Sequence, residues 1–328
     1  MADSQLTSIA IIDDWQGIAR THVDWSTLQS RAELIFYTAP FHDEDTVVDA
    51  LIDCDIVLAM RERTRFPASL VRRLPNMRMF GMTGNRAGLI DIAAMIDRGI
   101  TVCYTGGGPS VAATAELALG LMLAAARDIP AGDQAVRAGR FQQGTRSGLM
   151  LSGKTVGLIG LGRIGALMAR YCQALDMRVL AWSPNLTSER AAEAGVLLTG
   201  KDELLSLSDV VSLHLVLSER TRGILSSTDI SRMKQGAILV NTSRANLVDQ
   251  DALTDAVHSR QLIAALDVHS IEPVLADHVM NFERNTILTP HYGYCVDEVY
   301  AEYYQHSYEN ALAFLEGKPI RVLDKPNF

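Results

Sequence analysis

The segment from Thr155 to Ser183, TVGLIGLGRIGALMARYCQALDMRVLAWS, gives the clearest indication of the fold. The apolar run from Thr155 to Ile159 predicts a buried strand, and Arg178 to Trp182 predicts a second one. Between them, Arg163 to Leu175 has the apolar spacing of a helix. Glycines occupy the turn where the first strand meets this helix. A strand, a glycine turn, a helix and a strand in this order predict a parallel βαβ unit.

The glycine turn has the G-x-G-x-x-G spacing of a dinucleotide-binding fold, with Gly160, Gly162 and Gly165. We expect Gly160 to allow the tight turn, Gly162 to let the backbone approach a pyrophosphate, and Gly165 to let the helix pack close to the strand. The phosphates would lie on the free N–H groups of the helix N-terminus, where the helix dipole favours negative charge. The motif alone is a weak signal in a chain with 24 glycines, but its strand–turn–helix context supports a bound NAD or NADP.

The position that usually distinguishes NAD from NADP lies at the end of this unit. A carboxylate about 20 residues into the motif ordinarily binds the ribose hydroxyls of NAD. Here Trp182 is followed by Ser183, Pro184 and Asn185, so no acid is present to repel a 2′-phosphate. The polar side chains of this segment offer hydrogen bonds to such a phosphate, although the nearest arginine, Arg190, comes several residues later. The pattern favours NADP, or the use of both cofactors.

Composition is that of an ordinary globular protein. The 328 residues are enough for about two domains, and 48% of them are hydrophobic and 21% charged. The net charge of −8 is spread along the chain without a basic run, so we expect neither nucleic acid nor a membrane as a partner.

The sequence also bears on compartment and metals. Its start lacks the charged and apolar regions of a signal peptide, and the most apolar stretch, Leu117 to Ala126, is too short to cross a bilayer. The four cysteines lie far apart without a C-x-x-C pair, so no metal site is predicted. The expected location is cytoplasmic.

Apolar strands alternate with helical patterns along the chain, which predicts an α/β fold of doubly wound parallel sheets. The triple glycine at 106–108 is a candidate hinge between two such units. The helix predicted from Val296 to Leu315 comes too late to belong to a βαβ unit. We expect it to pack on the first domain.

Ionisable side chains follow several strands predicted in the second half of the chain: Arg244 after VNTS, Asp267 and then Glu272 after ALDV, and His291 after LTP. The carboxyl ends of parallel strands meet at one edge of a sheet, so these side chains should gather beside the nucleotide. An arginine grips a carboxylate and polarises a carbonyl, a histidine transfers a proton, and a carboxylate orients the histidine. Each residue alone would be interpreted as a surface or structural group. Together they predict a site for carbonyl reduction.

As a whole, the sequence resembles the D-isomer-specific 2-hydroxyacid dehydrogenase family. The matching motifs are GLGRIG (160–165), HLVLSERTRGIL (214–225), LVNTSRANLVDQDAL (239–253), ALDVHSIEP (265–273) and LTPHYG (288–293), and VAATAELALGLMLAAAR (111–127) resembles the family's interdomain helix. The resemblance implies two flavodoxin- or Rossmann-like domains with a cleft between them. Residues 1–105 and 294–328 would form the substrate-binding domain, and residues 106–293 the dinucleotide-binding domain. It also implies a homodimer.

The resemblance implies roles for individual residues as well. Arg244, Glu272 and His291 match the catalytic residues, and Asp267 matches the residue on the nicotinamide side. The substrate carboxylate would bind to Arg244, His291 and the loop formed by Thr83, Gly84, Asn85 and Arg86. Besides the three glycines, the cofactor-binding residues would be Thr114, Arg163, Ile164, Ser183, Pro184, Leu215, Thr221, Thr242, Ser243, Asp267, His291 and Gly293. The implied reaction is hydride transfer between NAD(P)H and a small 2-keto acid, with glyoxylate and hydroxypyruvate as the default substrates.

Departures from the family pattern leave alternatives open. The substrate loop lacks the common acidic residue and has Arg86, which is either an additional carboxylate clamp or a loop charge. Oxidation of formate or phosphite is the nearest alternative reaction, but a relative that oxidises formate is not expected to keep Glu272 beside the histidine. A nucleotide-sensing corepressor on the same fold could retain all three catalytic residues, but it is expected to have long disordered flanks.

Overall fold

The computed structural model describes residues 6–84, 88–281 and 283–323 of the chain. The chain divides into two compact units, one formed by Met1–Pro109 with Val296–Phe328 and the other by Ser110–Cys295. Each unit is built around one sheet of parallel strands. The predicted α/β fold with two doubly wound domains is therefore confirmed.

The first unit contains a sheet of five strands. They are β1 (Thr7–Ile12), β2 (Ala32–Phe36), β3 (Ile56–Ala59), β4 (Met79–Met82) and β5 (Thr101–Tyr104). Their order, β2-β1-β3-β4-β5, is that of flavodoxin-like folds. The helices of the N-terminal segment are α1 (Ala19–His22), α2 (Ser26–Gln29), α3 (Glu44–Leu51), α4 (Ala68–Arg72) and α5 (Ile92–Asp97). Ile9, Val57 and Phe80 are fully buried because helices cover this sheet.

The second unit contains a sheet of seven strands. They are β6 (Thr155–Ile159), β7 (Arg178–Trp182), β8 (Leu197–Leu198), β9 (Val210–Leu213), β10 (Ala237–Asn241), β11 (Leu262–Leu266) and β12 (Thr286–Leu288). The order β12-β11-β10-β9-β6-β7-β8 is the Rossmann order with one further strand at its edge. Its helices are α6 (Ser110–Arg127), α7 (Ile129–Arg137), α8 (Arg163–Ala174), α9 (Ser188–Glu193), α10 (Lys201–Leu207), α11 (Ser227–Arg232) and α12 (Gln250–His258).

The side chains of the central strands in the second sheet point alternately to its two faces and are apolar on both, which explains why helices cover both faces. On β10, Ile238 and Val240 belong to the apolar core shared with α6 and α8. Ala237 and Leu239 belong to the opposite core, which α10, α11 and α12 cover. Successive side chains of a strand point to opposite faces, so a strand that is apolar at every position needs cover on both sides.

The predicted nucleotide-binding segment forms as expected. β6 and β7 have the predicted bounds, and α8 begins at Arg163 and ends one residue before the predicted Leu175. The two-residue strand β8 was not predicted, because a strand this short has no measurable periodicity. Its exposed leucines form the sheet edge.

Helix α6 covers the segment 111–127 that resembles the family's interdomain helix and starts one residue before it. It begins at Ser110, and its 18 residues are long and apolar enough to cross a membrane by length and composition, contrary to the expectation from Leu117 to Ala126 alone. In the structure, Ala115, Ala118 and Met122 lie in the apolar core of the second unit. A helix that fills a protein core meets the same criteria of length and composition.

The C-terminal segment completes the first unit, as expected. Helix α13 (Asp297–Leu315) packs against β4, β5 and α1. Tyr303 is almost fully buried there, and the Asn310 amide donates to the carbonyl oxygen of Tyr104 at 3.0 Å. These contacts explain why a helix so late in the chain belongs to the N-terminal sheet.

Candidate active site

The glycine turn between β6 and α8 has the geometry that a pyrophosphate requires. Gly160 has φ +104°, and a Cβ there would lie 2.5 Å from the carbonyl oxygen of His214. A Cβ on Gly165 would collide with the carbonyl oxygen of Gly160, so only glycine lets α8 pack this close to the turn. Gly162 has no atom near its Cβ position, and no side chain caps the N-terminus of α8. The first N–H groups of this helix are therefore available for an anion.

Further residues surround the glycine turn. Leu215 packs on it, with its Cδ2 atom 3.1 Å from where a Cβ of Gly160 would lie. Arg163 is exposed and Ile164 half-buried on the first turn of α8. Burial lowers the pKa of His214 to about 4, so this ring is neutral at pH 7. Its Nε2 atom lies 2.9 Å from Ser212 Oγ.

His291 and Glu272 form a hydrogen-bonded pair, with Nδ1 of the histidine 2.7 Å from Oε2 of the glutamate. The two side chains are 31% and 35% exposed, so both reach solvent. Burial acts to raise the pKa of Glu272, but the hydrogen bond and charge of His291 and the backbone N–H of His269 outweigh it, and the pKa lies below its usual value. The carboxylate is thus ionised and can stabilise a charged imidazole ring.

Asp267 holds the segment that follows His291. Its Oδ1 atom accepts from Thr289 Oγ1 at 2.6 Å and from the Tyr292 N–H at 2.7 Å, and its Oδ2 atom accepts from the Gly293 N–H at 2.9 Å. Burial raises the pKa of Asp267 above its usual value, although these hydrogen bonds act in the opposite direction. Both carboxylate oxygens are engaged within the protein, so Asp267 positions the loop that carries His291.

Thr114 and Gly293, which were predicted to contact the cofactor, contact each other. The Thr114 hydroxyl donates to the carbonyl oxygen of Gly293 at 2.7 Å. A Cβ on Gly293 would lie 3.2 to 3.3 Å from Thr114 and from Asp267 Oδ2. This close approach ties the start of α6 to the loop after β12.

The end of β10 presents Thr242, Ser243 and Arg244. Ser243 donates its hydroxyl to the carbonyl oxygen of Leu213 at 2.8 Å, which joins the ends of β10 and β9. The Arg244 side chain is exposed, and its Nη1 donates to the carbonyl oxygen of Ser243 at 2.7 Å. The buried Thr242 hydroxyl has no hydrogen-bond partner within the described part of the chain. A buried hydroxyl without a partner is costly, which indicates a ligand contact at this position.

The remaining predicted cofactor residues lie in two short loops. The Thr221 hydroxyl donates to the carbonyl oxygen of Val216 at 2.7 Å and accepts from the Ser218 N–H at 2.8 Å, so it closes its own loop. Ser183 is half-buried and Pro184 exposed in the turn after β7. The Thr221 hydroxyl therefore has a structural role, whereas the 183–184 turn stays open to solvent.

The predicted substrate loop belongs to the first unit. The Gly84 N–H donates to Thr105 Oγ1 at 2.9 Å, and the Thr83 hydroxyl accepts from the backbone N–H of Arg61 at 2.6 Å. Nη1 of Arg61 lies 3.5 Å from the carbonyl oxygen of Thr83. Asn85 and Arg86 lie outside the described residues, so their predicted roles stay predictions.

Two residues in these loops were missed from the sequence. Arg61 directly follows β3, and the rule that polar residues after parallel strands carry function applies to it as it does to Thr83. His269 donates its backbone N–H to Glu272 Oε1 at 2.9 Å, and its ring Nε2 lies 2.9 Å from the carbonyl oxygen of Thr289. His269 therefore joins the loop of Glu272 to the segment that leads to His291.

These features of the second unit fit a dinucleotide. The uncapped N-terminus of α8 suits a pyrophosphate, and the Thr242 hydroxyl suits a polar group of the cofactor. Across residues 6–84, 88–281 and 283–323, no cluster of three or more His, Cys, Asp or Glu side chains could hold a metal ion.

Comparisons with known proteins agree with this geometry. A family model described as D-isomer specific 2-hydroxyacid dehydrogenase, NAD binding domain, matches residues 119–293. A D-3-phosphoglycerate dehydrogenase from Archaeoglobus fulgidus is 37% identical over 80% of this chain and 50% of its own length, so the chain spans about half of that relative. A hydroxypyruvate reductase from Blautia hydrogenotrophica is 32% identical over 92% of this chain and 95% of its own.

A solved structure extends the likeness to three dimensions. The structure of a phosphoglycerate oxidoreductase from Vibrio cholerae has a TM-score of 0.89 and 33% identity, and the match covers 95% of this chain and 100% of that one. The family model covers more than half of the chain, and the Blautia relative matches along almost its whole length. The chain belongs to the D-isomer-specific 2-hydroxyacid dehydrogenase family.

Proposed function

We propose that this chain reduces a small 2-keto acid to the D-2-hydroxy acid with NADPH or NADH, and catalyses the reverse oxidation. The observation that carries the proposal is the 2.7 Å hydrogen bond between Glu272 and His291 at the ends of two strands of the nucleotide-binding sheet. A histidine held by an ionised carboxylate is a proton donor for a newly formed alkoxide. When it is bound, the nicotinamide supplies the hydride.

His291 would handle the proton. Its Nδ1 atom faces Glu272, so Nε2 is the ring nitrogen left to donate to the substrate oxygen. The charge of Glu272 stabilises the imidazolium before transfer, and the neutral ring takes up a proton from solvent after each cycle. In the oxidation direction the neutral ring takes the proton from the hydroxyl group.

Arg244 would bind the carboxylate of the substrate and polarise its carbonyl group. Its exposed guanidinium lies at the end of β10, and a planar guanidinium pairs with a carboxylate through two hydrogen bonds.

The substrate and cofactor follow from the relatives and from the turn after β7. The relatives are named for hydroxypyruvate and 3-phosphoglycerate, so hydroxypyruvate is our first candidate and glyoxylate the second. Because no acid follows Trp182, we propose NADP, or both cofactors, rather than NAD alone. We also propose a cytoplasmic homodimer, which this family membership favours.

Oxidation of NADPH and NADH by a panel of 2-keto acids tests the proposal. Hydroxypyruvate and glyoxylate should oxidise at least one cofactor, and phosphite and formate should reduce neither NADP nor NAD. Replacing His291 with Ala should cut turnover steeply and leave cofactor affinity similar. A protein that binds the cofactor but reduces none of the keto acids would instead be a nucleotide-sensing module, and the proposal would be wrong.

A further inference from the structure

The turn after β7 lies beside the glycine turn. The Gly160 N–H donates to the carbonyl oxygen of Trp182 at 2.8 Å, which joins the start of one turn to the start of the other. The Leu186 N–H donates to the carbonyl oxygen of Ser183 at 3.2 Å and closes the turn over residues 183–186. Ligands of parallel sheets bind beyond the carboxyl ends of the strands, so this turn belongs to the nucleotide-binding edge.

Two arginines from different elements reach this region. Arg220, in the loop after β9, has its Nη2 atom 3.5 Å from Oδ1 of Asn185. Arg190, in α9, donates from Nη2 to the carbonyl oxygen of Leu161 in the glycine turn at 3.2 Å. Sequence spacing suggested only Arg190, because Arg220 is distant in the chain and is brought to the turn by the fold.

Both guanidinium groups keep their charge available. Neither Arg190 nor Arg220 has a carboxylate within salt-bridge distance among the residues described. Their partners in the turns are an uncharged amide and a backbone carbonyl, which hold the side chains in place without neutralising them. The acid of this segment, Glu189, is engaged by its own backbone N–H and by Thr187, and these hydrogen bonds lower its pKa.

We propose that Arg220 is the main determinant of NADP binding, and that it grips the 2′-phosphate of the adenosine ribose together with Asn185 and Arg190. The inference rests on the proposed function, since it requires a dinucleotide on the glycine turn. A guanidinium matches a phosphate through parallel hydrogen bonds, and the turn has no carboxylate to repel the dianion. Arg220 thus takes the part that an arginine directly after Ser183 would otherwise take.

Calorimetric titration of the whole chain without substrate tests this assignment. The ligands are NADPH, NADH and 2′,5′-ADP, and the variants are Arg220→Gln and Arg220→Glu. The matched control is Arg178→Gln, which removes the same charge from an exposed side chain at the opposite end of β7. Loss of one charge-assisted contact corresponds to a weakening of about 10- to 100-fold.

The expected result is that Arg220→Gln weakens NADPH and 2′,5′-ADP by about 10-fold or more, and leaves NADH within about 2-fold. Arg220→Glu should abolish binding of 2′,5′-ADP, and Arg178→Gln should behave as the parent. An unchanged ratio of NADPH to NADH affinity in both Arg220 variants overturns the inference while the proposed function stands. If the parent binds none of the three ligands, the dinucleotide site fails, and the proposed function fails with it.

Discussion

Replacing Glu272 with Gln removes the charge that faces His291 and keeps the size of the side chain. In the parent, Oε2 accepts from Nδ1 of His291 at 2.7 Å, and Oε1 accepts from the His269 N–H at 2.9 Å. A glutamine has one acceptor oxygen, so one of the two donors must face the new NH₂ group. The substitution therefore weakens the support of the imidazolium and disturbs its orientation.

The size of the effect follows from the geometry and exposure of the pair. A hydrogen bond to a charged group contributes about 1.5–3 kcal/mol. Because the two side chains are 31% and 35% exposed, solvent screening places the value at the lower end, about 1.5–2 kcal/mol. That corresponds to a loss of about 10- to 30-fold in kcat/KM for keto acid reduction.

The chain provides a matched control for this experiment. Glu283 and His258 form a second pair, also at 2.7 Å, on the surface of the same unit. The variants Glu272→Gln and Glu283→Gln should be compared by steady-state kinetics between pH 5 and 9 and by titration with the cofactor. Only the first should lose turnover, with cofactor affinity unchanged. Equal kinetics in the two variants would refute the role of Glu272.

Three other predictions concern the glycine turn, a buried acid and the loop of Glu272. Gly165→Ala should lower the Tm by an amount equivalent to about 1–3 kcal/mol, because the new Cβ would meet the preceding turn. Gly162→Ala should leave the Tm unchanged and weaken dinucleotide binding. Equal Tm values for the two variants would contradict this. Burial raises the pKa of Asp13 to about 6 from 3.8. As pH rises from 4 to 7 the parent should therefore lose about 2 kcal/mol of stability that Asp13→Asn retains, and an equal change in the free energy of unfolding with pH in the two proteins would disprove this. His269→Phe should lower kcat/KM by up to about 10-fold without changing cofactor affinity, because the ring loses its bond to Thr289; a turnover equal to that of the parent would exclude this positioning role.

The parts of the fold that could be predicted are those in which local pattern and final structure coincide. β6 and β7 were predicted with correct bounds because apolar runs flanked by turn residues have few alternatives in a parallel sheet. The candidate site could be assembled from the residues after the strands, because the topology brings those ends to one edge. Glu272 and His291 are accordingly found in contact.

What the sequence could not show depends on contacts between distant segments. Arg220 and Asn185 meet only because β6 has β9 on one side and β7 on the other, and no local sequence spacing predicts that contact. Arg61 reaches Thr83 because β3 and β4 are neighbours in the sheet.

We expect this site to transfer hydride to the carbonyl carbon of a 2-keto acid. The most direct measurement is incubation of the chain with hydroxypyruvate and NADPH or NADH that carries deuterium at both C4 positions of the nicotinamide, followed by mass spectrometry and chiral analysis of the product. We expect a D-2-hydroxy acid that carries deuterium at C2, and loss of this product in His291→Ala. An unlabelled product, an L-isomer, or no product with either cofactor would contradict it.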